Sequence, residues 1–373
     1  FRQPYSNNGS GCRLPDAWPT DAMNRKLAPD GAEKAVIENK GPSLDLHSRL
    51  IDAAGVRALA SALKKNPSIK CLNLYLNRLG EEGAAEVLAM LKGGGPGGKL
   101  EVLNLRNNSL GSKGAMLIAQ ALPTHSTLAN LNLDSNGIGP EGTKAIADSL
   151  RSNTSLRSLS LAYNRIGGDG SRSLAGALRE NKTLTALDVE GNNMRDAAVD
   201  LVSAAMASRV RILNLSCNGI TDKTGERIAR IIAPPLPSEK IIATEPSLGD
   251  VKASLNSFSP SVKGTSVGDT RAAAVSLLPS ELTLRSNRIG MRGLLALVAA
   301  ASAWAHDNEA TSITNLDLGG KKFATRLDLR YNVNEPEGFR MLVYVEVLRH
   351  VRMPQLSETV VGYITEQDLR NIL

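Results

Sequence analysis

The sequence predicts an α/β solenoid, in which a parallel inner sheet alternates with outer helices in a repeat of 28 residues. One Leu-x-Leu segment recurs along most of the chain, and most copies are followed by an Asn and then a Gly. Aromatic residues make up only 3% of the chain although 42% is apolar, which suits thin layers with room for aliphatic side chains. A length of 373 residues also exceeds what one ordinary hydrophobic core can serve.

The Leu-x-Leu segments predict short strands, because period-two alternation turns both leucines to one side and the residue between them to the other. An offset of 28 residues recurs in four of the eight steps between their first leucines: Leu44, Leu72, Leu103, Leu131, Leu159, Leu187, Leu213, Leu282 and Leu327. The first copy is degenerate, since Arg49 stands where the others have Asn.

The turn after each strand predicts a polar ladder followed by a helix. Stacked Asn side chains can bond backbone groups that the layers would otherwise bury unpaired: Asn77, Asn108, Asn136, Asn164, Asn192, Asn218, Asn287 and Asn332. A glycine follows in most copies, where we expect a helix to start close against the layer below: Gly83, Gly114, Gly142, Gly170, Gly293 and Gly338. Apolar spacing of three and four, as in Ala145, Ile146 and Leu150, then predicts the helix.

The combined pattern, Leu-x-x-Leu-x-Leu-x-x-Asn-x-Ile-Gly-x-x-Gly and a helix, resembles the ribonuclease-inhibitor subfamily of leucine-rich repeats across roughly residues 43–350. NOD-like receptor repeats and Ran GTPase-activating proteins belong to that subfamily. Strands stack about 4.8 Å apart and helices about 8–10 Å apart, so we expect the array to bend into a horseshoe with the strands inside.

Departures from the repeat predict the domain organisation. We expect an irregular N-terminal arm and cap over 1–42, regular repeats over 43–233 and a Pro/Ser-rich insertion over 234–276. Further repeats should occupy 277–352, with an excursion near 313–326, and a C-terminal cap should cover 353–373. The apolar segments Met291–Trp304 and Phe339–Val351 predict helices that need cover on every side.

Charge and cysteine content bear on partners and compartment. A net charge of +7 favours acidic partners: an acidic protein surface or RNA, or anionic lipid. Three cysteines without CxxC spacing predict no disulfide framework and a reducing, intracellular compartment. The cytoplasm is favoured, with a mitochondrion or a cilium as alternatives. No apolar stretch is long enough to predict a membrane span.

Enzyme motifs are weak throughout, and we expect no catalysis, cofactor, metal or small-molecule substrate. The Gly-rich segment from Gly93 to Lys99 imitates a phosphate loop, but Leu100 replaces the hydroxyl residue and a helix precedes it instead of a strand. The four histidines form no HxxxH or other metal-ligand spacing, and no GxSxG occurs.

The inner strand face is therefore the predicted binding surface. Its polar positions are acidic around Asp134, Asp188 and Glu190, and they are basic near Arg285 and Arg330. Arg and Tyr are the residue types that most often anchor interfaces. The candidate partner-binding residues are Tyr75, Arg106, Asp134, Asp188, Glu190, Arg285, Arg326, Arg330 and Tyr331.

Three functions fit these observations. The favoured hypothesis is a non-enzymatic scaffold that binds one or more proteins as a subunit of a larger assembly. The resemblance alone implies the first alternative, a Ran-type GTPase activator, although this chain lacks the acidic tail typical of those proteins. The second alternative is an accessory protein of a ribonucleoprotein or organellar complex, which the positive charge favours.

Overall fold

A computed structural model describes residues 26–92, 98–232, 281–284, 287–289, 296–297 and 326–328. The chain divides into two units, Phe1–Asn218 and Gly219–Leu373. The predicted insertion over 234–276, the predicted cap over 353–373 and the helix predicted over Phe339–Val351 lie outside the described residues. So do most of the excursion near 313–326 and most of the helix predicted over Met291–Trp304.

The first unit alternates strands and helices along the chain, as the repeat predicted. Its strands are β1 (Ser43–Asp45), β2 (Cys71–Asn73), β3 (Val102–Asn104), β4 (Asn130–Asn132), β5 (Ser158–Ser160), β6 (Ala186–Asp188) and β7 (Ile212–Asn214). Its helices are α1 (Pro29–Glu38), α2 (Ala53–Leu63), α3 (Gly80–Leu91), α4 (Gly111–Ala121), α5 (Gly139–Ser152), α6 (Gly167–Glu180) and α7 (Ala198–Met206). A short 3-10 turn, Arg195–Ala197, precedes α7.

The seven strands pair in parallel in the order of the sequence, and the first leucines of successive repeats are register partners. Leu103, Leu131 and Leu159 are at most 1% exposed, and so is the second leucine of each of these repeats. The strand assignment from the leucine spacing is therefore confirmed, and its leucines form the core between sheet and helices.

In the second unit, α8 (Asp222–Ile232) is followed by β8 (Glu281–Thr283) and β9 (Arg326–Asp328). β8 and β9 pair in parallel with Leu282 opposite Leu327, so the repeat template also predicts strands correctly here. The Asn287 carboxamide accepts a hydrogen bond from the Ile220 N–H at 3.1 Å. This unit therefore uses the same turn chemistry as the first.

The predicted asparagine ladder is present between successive layers. The Asn136 Nδ2 donates to the carbonyls of Leu105 at 2.9 Å and Leu133 at 2.9 Å, which belong to two different repeats. Its Oδ1 accepts the Asn108 N–H at 2.8 Å. Asn192 makes the same bonds two repeats later, and Asn164 does so one repeat later except that its bond within its own repeat goes to Ala162 O. Each of these carboxamides thus connects the turns of neighbouring layers.

One ladder position is only half satisfied. The Asn108 Nδ2 donates to Leu74 O at 2.8 Å, but the buried Asn108 Oδ1 accepts no hydrogen bond. The preceding turn also differs in conformation, since its Arg78 lacks the positive φ found at the equivalent Ser109 and Arg165. In this turn the Arg78 N–H bonds Ile51 O at 3.0 Å.

The glycine prediction is correct for close packing and wrong for the helix start. A Cβ on Gly142 would lie 3.0 Å from the Ala115 Cβ and 3.1 Å from the Ser112 Cα of the preceding layer. The helix itself begins three residues earlier, at Gly139, where φ is +66°. Two glycines therefore serve each such turn, because the first permits the left-handed backbone and the second permits close approach.

Two features of the N-terminal part differ from expectation. Helix α1 lies within the segment predicted as an irregular arm. Packing on α2, with Ala32 and Val36 fully buried, stabilises this helix. Cys71 is disulfide-bonded, and its partner lies outside the described residues. Since disulfides are rare in reducing compartments, this bond is contrary to the expectation of reduced cysteines.

We expect Asn136→Ala to lower the free energy of unfolding by about 1–3 kcal/mol, because buried backbone groups of two layers lose their partners. Asn108→Ala is the matched control and should cost less, since its carboxamide oxygen is already without a donor. Urea denaturation of both variants measures the difference. Equal losses would show that the amide donors alone stabilise the ladder.

Candidate functional site

The inner face of the first unit is built largely from side chains that bond their own turns. The last residues of five strands each accept, through Oδ1, the backbone N–H two residues later, at 2.9–3.1 Å: Asn73, Asn104, Asn132, Asp188 and Asn214. Asn73 is 1% exposed and Ser160 is 2% exposed. This column therefore shapes the surface, and the column two residues later offers the side chains that reach a partner.

Three of the predicted residues from consecutive layers lie together in that second column. The Arg106 guanidinium carbon lies 5.7 Å from the centre of the Tyr75 ring. The same guanidinium lies 3.8 Å from the Asp134 carboxylate. The Arg106 side chain remains 39% exposed. A cation–π contact on one side and an ion pair on the other therefore hold this arginine in place while leaving it accessible.

Asp134 is better described as the buried anchor of this group than as a contact residue, since it is only 5% exposed. Its carboxylate accepts the Ser160 hydroxyl and the Ala162 N–H of the next layer. Burial raises the pKa of Asp134, while the bonds from Ser160 and Ala162 and the charge of Arg106 oppose the rise. The sequence placed Asp134 on the correct face but could not show its burial.

A second group surrounds Glu190. Its carboxylate accepts the Tyr163 hydroxyl at 2.5 Å and the Asn214 Nδ2 at 3.1 Å. The Tyr163 ring lies over Gly191, where an added Cβ would approach the ring to 2.4 Å. Tyr163 is 49% exposed and was not among the predicted residues. The sequence feature that could have identified Tyr163 is its position directly before the ladder residue Asn164, with Gly191 at the equivalent position one repeat later.

Asp188 interacts with both Asp134 and Glu190 and is half-buried. Burial raises the pKa of Asp188 to about 7, the Glu190 N–H bond lowers it, and the Asp134 charge raises it again. The charges of Asp134 and Glu190 therefore both act on Asp188. The same position carries Asn in β4 and β7, so a neutral side chain fits it.

The remaining predicted residues cannot be placed in this site. Arg285, Arg330 and Tyr331 lie outside the described residues. Arg326 is the first residue of β9, and its side chain is not described. Within the described part of the chain, no group of three or more His, Cys, Asp or Glu side chains could hold a metal ion.

Comparison with known families decides what the repeats are. A family of leucine-rich repeats matches six segments: residues 65–88, 99–119, 124–147, 152–175, 180–202 and 210–229. These segments are leucine-rich repeats. Each spans the end of one layer and the beginning of the next, from the helix end through the strand to the following helix.

Two solved structures show similarity to these leucine-rich repeats. One is the leucine-rich repeat-containing protein LegL7 from Legionella pneumophila, with 18% identity over 88% of this chain and 97% of that one, at a TM-score of 0.42. The other is the actin-binding site 2 of leiomodin-1, with 24% identity over 43% of this chain and 78% of that one, at a TM-score of 0.30.

Leucine-rich repeats are generally non-enzymatic modules that bind proteins. This coarse function agrees with a site whose exposed groups are aromatic, cationic and anionic side chains held by their neighbours. Among the described helices, none combines the length and apolar character needed to cross a bilayer.

Asp188→Asn should raise the melting temperature at pH 8. The folded pKa of about 7 exceeds the unfolded value of about 3.9, so the folded protein binds the extra proton and loses stability as pH rises between them. Each kcal/mol regained corresponds to a rise of about 2–4 °C in a unit of this size.

The gain should shrink when melting is repeated at pH 5, where the Asp188 carboxyl is protonated in the folded protein. Glu82→Gln, which removes an exposed carboxylate from α3, is the control and should show no such pH dependence. A gain of equal size at both pH values would contradict a raised pKa at Asp188.

Proposed function

We propose that this protein is a non-catalytic scaffold that holds a partner protein against the inner face of its leucine-rich repeats, as one subunit of a larger assembly. The main observation that supports this proposal is the arrangement of Tyr75, Arg106 and Asp134 across three layers. A subfamily assignment of the ribonuclease-inhibitor type belongs to the same proposal. It is supported by the recurring 28-residue spacing and by an α-helix after each of the strands β1 to β7.

Preorganisation supports the binding role. A free arginine loses side-chain entropy when a partner immobilises it, which weakens binding. Here the Arg106 guanidinium already lies between the Tyr75 ring and the Asp134 carboxylate, so less entropy remains to be lost. Because Asp134 also bonds Ser160 and Ala162, the anchor itself is fixed by the next layer.

The second exposed anchor extends this surface. Tyr163 is immobilised by Glu190 through its hydroxyl while half of the residue stays exposed. Tyrosine offers a large contact area with few rotatable bonds, and it is enriched among residues that dominate binding energy. The surface from Tyr75 to Tyr163 thus offers two rigid aromatic residues and one accessible cation.

Arg106→Glu should abolish partner binding while leaving the fold intact. The change removes the accessible cation and places a third carboxylate near Asp134. Lys144→Glu makes the same charge change on an exposed position of α5 and serves as the control. Quantitative mass spectrometry of proteins that co-purify with each tagged chain measures the difference.

The proposal predicts a set of proteins captured by the wild type and by Lys144→Glu but lost with Arg106→Glu, at least about tenfold in abundance. Circular dichroism should show equal helix content in all three chains. If folded Arg106→Glu retains every protein that Lys144→Glu retains, the inner face is not the binding surface.

A further inference from the structure

A row of cations lies on a different surface, where the outer helices end and the chain returns to the inner strands. We define the basic edge as Arg157, Arg179, Lys182 and Arg209. All four are exposed. Within the described part of the chain, none of the four forms an ion pair.

Backbone hydrogen bonds bring these residues into consecutive layers. The Thr185 N–H donates to Arg157 O at 2.8 Å, and the Arg211 N–H donates to Thr185 O at 2.7 Å. The Lys182 ammonium donates to Arg179 O at 3.3 Å. Because strands stack about 4.8 Å apart, the three layers span about 10 Å. The basic edge therefore occupies three consecutive layers.

Negative charge is scarce on this patch. The connecting segments 151–157, 179–185 and 207–211 contain six cationic residues: Arg151, Arg157, Arg179, Lys182, Arg209 and Arg211. Their single acidic residue is Glu180, and its carboxylate is bonded by Arg151. The four residues of the basic edge are exposed, and none of them pairs with this carboxylate.

Arg179 lies in the last turn of α6, but stabilisation of helix ends does not explain the rest of this charge. Cations are favourable near the C-terminus of a helix, but α2, α3, α4 and α7 have no basic residue in their last turn. The equivalent connection over 123–129 contains no Lys or Arg at all. Moreover, Arg157, Lys182 and Arg209 lie outside the helices. The repeat folds without them.

We propose that the basic edge binds an acidic segment of a partner protein. Guanidinium groups match the geometry of carboxylates and can bind them through two hydrogen bonds. The basic edge is separate from the inner face of the proposed function, so a partner bound at the inner face can also be bound at the basic edge.

Two other polyanions fit the edge less well. Proteins that bind single-stranded nucleic acid stack bases on aromatic residues, and the three connecting segments contain no aromatic residue. Membrane-surface segments insert apolar side chains, but Val210, the apolar residue between Arg209 and Arg211, is fully buried. An acidic polypeptide needs only the exposed cations.

The test uses the full chain and a fluorescent peptide of alternating Glu and Gly, with binding followed by fluorescence anisotropy at low salt. Arg157→Glu combined with Arg209→Glu should weaken binding by about tenfold or more. Arg78→Glu combined with Arg165→Glu is the control, because it makes the same charge change at exposed turn positions before the helices. The control should retain the wild-type affinity, and so should Arg106→Glu.

Arg157→Gln with Arg209→Gln provides a milder variant that keeps side-chain size, and circular dichroism verifies folding of each chain. Equal weakening in the control would overturn the proposal, because net charge alone would then explain binding. The proposal is also overturned if single-stranded RNA or phosphatidylserine vesicles bind more tightly than the peptide and lose affinity with the same edge variants. The proposed function is tested separately, because it predicts that Arg106→Glu loses the inner-face partners while the edge variants keep them.

Discussion

The structure depends on one carboxamide that bonds two layers at once. Stacked layers bury the turn after each strand, and every unpaired N–H or C=O there would cost about 1–3 kcal/mol. Asparagine meets this requirement because its side chain is short and carries both a donor and an acceptor. Asn136 shows the result, since it donates to the carbonyls of two repeats and accepts the Asn108 N–H of the earlier one. Aspartate would lack the donor, and leucine would lack both.

That constraint also determines the candidate site. Because the ladder keeps successive layers in register, residues about 28 positions apart in sequence become neighbours on the inner face. Arg106 therefore lies between Tyr75 and Asp134, and Tyr163 reaches the Glu190 carboxylate of the next layer. The same bonds that keep the repeats stacked reduce the mobility of the side chains offered to a partner. Stability and preorganisation thus have a common origin.

The sequence was sufficient to predict the main features that repeat. Strand positions, the asparagine ladder and the close packing at Gly142 all follow from spacing, because one local geometry recurs in every layer. A second ladder was missed although it recurs in the same way. The Oδ1 of Asn153 and of Asn181 accept backbone N–H groups at the helix ends, and His125 takes their place one repeat earlier. The recurring Asn-x-Ser/Thr-Leu segment is the sequence feature that indicates this second ladder.

Features that depend on three-dimensional neighbours could not be read in advance. The burial of Asp134 depends on the side chains above and below it, and its neighbour Ala162 looks uninformative in the sequence. Tyr163 is exposed yet rigid because Gly191 leaves room for its ring one layer away. Helix α1 has no repeat template, so only its contact with α2 identifies it.

The net charge of +7 conceals a separation of charge within the first unit. In the layers of β4 to β7 the inner face carries Asp134, Asp188 and Glu190, while the basic edge carries Arg157, Lys182 and Arg209. Opposite charges in the same layers would neutralise one another if the side chains could form ion pairs. The backbone prevents this, because the acidic side chains are bonded within the sheet and the basic ones extend from the connections behind it. A partner with a cationic region and an acidic region could therefore be held in one orientation, since turning it around would oppose like charges on both surfaces.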